Sequence, residues 1–136
     1  MRASTLVWAA SGLLALEGAA LVIIALLELF GLGAGNAASI PTAIALIVLT
    51  LIAGVGLVAF AVGVLRGKGW ARSGGVAVQV LAIATAFSAL SVQPLPWAFV
   101  LGVGGSGLVG LVLLISVARR AGAQESRRRL SDDETH

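Results

Sequence analysis

A chain of 136 residues that is 59% hydrophobic and only 11% charged, with a mean hydropathy of +1.06, predicts an all-α membrane protein. Four long apolar runs separated by short polar or glycine-rich breaks make it polytopic, a bundle of four transmembrane helices. Every Lys and Arg lies in a flank of these runs and none inside them. Soluble domains are about 25% charged, and one this small has too little interior to hide so much apolar surface. One domain is the natural count.

The first span is read as 6–30. Its 25 residues make a helix about 37 Å long, enough for a hydrocarbon core of about 30 Å with some tilt. Trp8 and Phe30 stand at its ends as interface anchors. Arg2 before an apolar run suggests a leader peptide. However, the run is too long for one, contains Glu17 and lacks a small-residue cleavage motif, so it is expected to be a retained helix. A loop from Gly31 to Ala38 follows, in which Asn36 precedes Ala-Ala and is no glycosylation acceptor.

Ser39 and Pro41 mark the start of the second span, 41–65, through a capping hydroxyl and a proline in the first turn. Gly54, Gly56 and Gly63 interrupt it, as membrane helices tolerate. Arg66-Gly67-Lys68-Gly69-Trp70-Ala71-Arg72 is read as a basic pivot loop dividing the chain into two halves. The third span, 74–92, is the most polar, with Gln79, Thr85 and Ser88. Gln79, five residues in, is expected to bond backbone or headgroups. Gln93-Pro94-Leu95-Pro96 makes the next turn. In the fourth span, 97–117, Gly102, Ser106 and Gly110 recur at steps of four, a stripe expected to pack against a neighbouring helix, with Gly54 serving likewise in the second span. Residues 1–118 thus form the membrane domain. Residues 119–136 form a charged tail that starts as a helical extension and frays.

With four crossings, the termini and the pivot loop share one side. All nine Lys and Arg fall there: Arg2, Arg66, Lys68, Arg72, Arg119, Arg120, Arg127, Arg128 and Arg129. The positive-inside rule therefore predicts both termini on the cytoplasmic side of the membrane. Arg66, Lys68, Arg72, Arg119 and Arg120 are expected to meet anionic lipid headgroups. The pI near 11.2 does not indicate nucleic acid, because the basic residues flank apolar runs and form no stripe.

Glu17 lies near the midplane, where a charge costs several kcal/mol and is a functional hypothesis by default. Glu28, eleven positions on, returns to within about 20° of the same face. Counting eleven residues from each inner end places Gly54, Thr85 and Ser106 level with Glu17. A layer binding substrate or proton through Glu17, Glu28, Thr85 and Ser106 follows as an expectation. No His, Cys, Asp or Lys stands inside any predicted span, so no catalytic site, metal or cofactor is expected, and the chain is not read as an enzyme.

The segment Arg66-Gly67-Lys68-Gly69-Trp70-Ala71-Arg72, followed by Gln79, resembles small four-helix membrane proteins of actinobacteria. Their inner loop reads roughly R-G-(R/K)-x-W-A-R before a helix with an early Gln. Leu16-Glu17-Gly18 also resembles that group. The resemblance implies the four-helix fold and no mechanism. Glu17 in the first of four short helices is similar to the embedded glutamate of small multidrug resistance exporters. This chain lacks tyrosine and those exporters' aromatic motifs, so only Glu17 carries over. The expected function is a non-catalytic accessory or scaffold with a second copy or another membrane protein as partner. The alternative is a proton-coupled exporter of a cationic or lipophilic substrate.

Overall fold

The computed structural model describes residues 4–35 and 38–135. Arg2, counted above among the basic anchors, and Asn36 lie outside the described residues. Four helices follow one another: α1 (Thr5–Gly33), α2 (Ile40–Leu65), α3 (Gly69–Ala89) and α4 (Trp97–Glu134), with no strand among the described residues. All four are long and apolar enough to cross a membrane.

Local chemistry sets the ends. The Ser4 side chain accepts from the Val7 N–H at 3.3 Å and caps α1. Pro41 sits in the first turn of α2. The expected capping by Ser39 does not occur, because its hydroxyl donates to Thr42 Oγ1 at 3.1 Å instead of meeting a backbone amide. After α2 the chain reverses in three residues, Arg66 to Lys68. Gly67 takes φ +70°, and the Lys68 N–H closes onto the Gly63 carbonyl at 2.9 Å. A left-handed residue is what such a turn needs, and glycine adopts it without strain.

The seven-residue pivot is therefore mostly helix. Trp70, Ala71 and Arg72 form the first turn of α3, five residues before the expected start. Contacts to α2 hold that turn in place. Ala71 is fully buried against Gly63, and the Trp70 ring tilts on Phe60 at 5.8 Å. At the other end, α4 continues past 117 as one helix to Glu134, through a stretch whose five Arg and three Ala favour helix.

The helices form a ring. The α1–α2 and α3–α4 hairpins pack most extensively, and α2–α3 and α1–α4 contacts close the square. The core consists of Ala10, Leu14, Leu57, Ala61, Val64, Ala71, Leu114 and Val117, drawn from all four helices. All eight lie toward the end of the bundle where the arginines are, here called the basic end. Beyond Glu17 the buried hydrophobic residues thin to Ala25, Ile47 and Ala86.

Candidate functional site

Glu17 is half-buried. Its Oε2 accepts a hydrogen bond of 2.8 Å from Nε2 of Gln79, which is completely buried. This bond runs across the diagonal of the square, from α1 to α3. The two residues meet because their helices rise from the same end. Glu17 is twelve residues from Thr5 and Gln79 ten from Gly69, about 18 and 15 Å along their axes. Gln79 is thus not the shallow residue that a start at 74 implied, and it bonds a side chain, not backbone or headgroups.

Glycines make room for the pair. A Cβ on Gly110 would come within 2.7 Å of the Gln79 amide, so the glutamine lies flat on the α4 backbone. One turn below, Gly75 admits Leu114 and Leu14. Beside Glu17, Gly18 and Gly54 face each other: a Cβ on either would sit 2.7 and 2.9 Å from the other's carbonyl oxygen. That contact sets the close α1–α2 approach. One polar atom of the pair is left over, since Gln79 Oε1 is buried without a partner among the described residues. Ser11 Oγ, two turns toward the basic end, is likewise buried and unpartnered.

The other expected members of the layer are elsewhere. Thr85 is exposed and its hydroxyl donates to the Leu81 carbonyl at 2.8 Å. Ser106 is half-buried and donates to the Val103 carbonyl at 3.2 Å. Glu28 is exposed. Of the expected layer, then, the structure brings only Gly54 to Glu17. The stripe of α4 is also displaced. Gly102 is exposed with open space around it, and the seam with α3 runs through Gly104 against Ala86, Gly107 against Ile83, and Gly110 against Gln79. These are steps of three.

Two cavities open at the basic end. One, of about 590 Å³, is lined by Arg66, Arg72 and Arg120 together with Ser4 and Gln124. The other, of about 660 Å³, shares Arg72 and Ala121 with it and reaches Glu125. Glu17 lines neither. Lys68 and Arg119 are exposed and line neither. No family model, curated protein or solved structure matches the chain.

Proposed function

We propose that the chain is a small integral protein of the bacterial inner membrane. It acts without catalysis as an accessory or scaffold, with its termini in the cytoplasm and its basic end among anionic headgroups. The observation that carries this reading is the bond between Glu17 and Gln79. The one acid deep in the spans is spent on holding α1 to α3, inside a seam lined by Gly18, Gly54, Gly75 and Gly110. A polar link of this kind rigidifies a bundle that has no hydrophobic drive to cohere in lipid. A rigid bundle is what a partner can dock on. Purification in mild detergent is expected to recover a stable membrane partner or a second copy, and Glu17→Gln to leave that capture intact. Isolation of a lone monomer from native membranes overturns the reading.

A second reading is favoured by the orphaned Gln79 Oε1. A primary amide offers a donor and an acceptor side by side. It can donate to a carboxylate or accept from a carboxylic acid, so the pair can persist through proton loading and release at Glu17. Such a site suits a proton-coupled exporter. In proteoliposomes, Glu17→Gln then abolishes proton movement driven by a lipophilic cation such as tetraphenylphosphonium. Flux equal in wild type and variant rejects this second reading and leaves the first standing.

A further inference from the structure

The smaller cavity at the basic end collects three arginines from three helices. Arg66 follows the last turn of α2, Arg72 lies in the first turn of α3, and Arg120 lies on α4. None of them pairs with a carboxylate among the described residues, where the single ion pair is Arg129 with Glu125. No acid among the described residues lines this cavity, and Gln124 and Ser4 add neutral hydrogen-bonding groups. Guanidinium groups prefer phosphate, which they bind through paired N–H donors. The remaining wall is apolar, with Val7, Val64 and Val117 leading toward the core. The volume is ample for a headgroup with the first carbons of its chains.

We propose that this cavity is a discrete binding site for the phosphate of an anionic phospholipid. Arg66, Arg72 and Arg120 hold the phosphate and the valine wall takes the first carbons of the acyl chains. The proposal rests on the placement of the basic end among headgroups, and it sharpens that placement. A diffuse basic surface uses all its cations alike, whereas a built site uses these three and spares Arg127, Arg128 and Arg129. The apolar wall selects an amphiphile over free phosphate, which gains nothing from it.

Native mass spectrometry of delipidated protein tests this, with phosphatidylglycerol, phosphatidylcholine and inorganic phosphate titrated separately. Wild type is expected to retain phosphatidylglycerol over phosphatidylcholine. Replacing Arg66, Arg72 and Arg120 by Gln weakens retention on the order of 100-fold, from about a factor of five per arginine. Replacing Arg127, Arg128 and Arg129, which line neither cavity and stand about a Debye length along α4 from Arg120, by Gln removes the same charge and changes retention less than about threefold. Ala121→Trp, which fills the shared wall and keeps every charge, also lowers retention and covers the case in which the triple variant fails to fold. Equal loss in the two triple variants overturns the discrete site and leaves headgroup attraction intact. Equal retention of the two lipids by wild type overturns both. Displacement of phosphatidylglycerol by equimolar inorganic phosphate assigns the site to the free anion and overturns the lipid assignment.

Discussion

On the basic side of Glu17, Leu14 and Leu114 are fully buried and four helices share one cluster. On the far side, Leu29, Phe30 and Leu101 are exposed on the same helices α1 and α4. The far half is at least as apolar in sequence, with Glu28 as its one charged residue. In lipid an apolar side chain gains little by moving inside, because acyl chains are as apolar as leucine. Burial therefore reports close packing, and close packing needs small residues at the contacts. Gly63, Ala71, Gly75 and Gly110 supply them on one side. The Glu17–Gln79 bond sits at the boundary, beyond which Gly104 on Ala86 and Gly107 on Ile83 still hold α4 to α3 but no leucine is buried among the described residues.

The largest test of this contrast is a matched pair of truncations. Leu14→Ala is expected to cost about 3 kcal/mol of unfolding free energy in detergent, against under about 0.5 kcal/mol for Leu29→Ala. Equal losses would remove the distinction between halves. Next comes a matched pair of enlargements. Gly18→Val drives a side chain into the Gly54 carbonyl and Val58 and is expected to cost about 2 kcal/mol. Gly102→Val meets open space and is expected to be near neutral in the same thermal assay. A smaller effect of opposite sign is expected at Ser11, where Ala relieves an unpartnered buried hydroxyl and stabilises by about 1 kcal/mol. Destabilisation there reveals that the hydroxyl has a partner.

The four spans were legible because hydropathy alone marks them, and Pro41 and Gly67 punctuate them as glycine and proline do elsewhere. The start of α3 was not. Gly69-Trp70-Ala71-Arg72 has the composition of a loop, and it becomes helical through Ala71 on Gly63 and Trp70 on Phe60. Those contacts are not local in sequence. The five-residue error moved Gln79 toward the headgroups and put Thr85 in its place beside Glu17. The α4 seam was ambiguous for a different reason. Small residues at 102, 104, 105, 106, 107 and 110 support several registers, and only the facing residues of α3 choose among them. Depth singled out Glu17 and polarity singled out Gln79, but only the observed start of α3 brings the two level.

Helix α4 does not stop with the bundle. From Ala118 to Glu134 it adds 17 residues, a rod about 25 Å long. Arg119 and Arg120 stand at its root and Asp132, Asp133 and Glu134 at its tip. Arg127, Arg128 and Arg129 stand one turn short of that tip, so the outer turns carry three charges of each sign and a charged surface neither draws nor repels them strongly. The reach of the rod then comes from the unbroken helix, and a label attached near Thr135 would report from clear of the surface at a distance that added salt changes little.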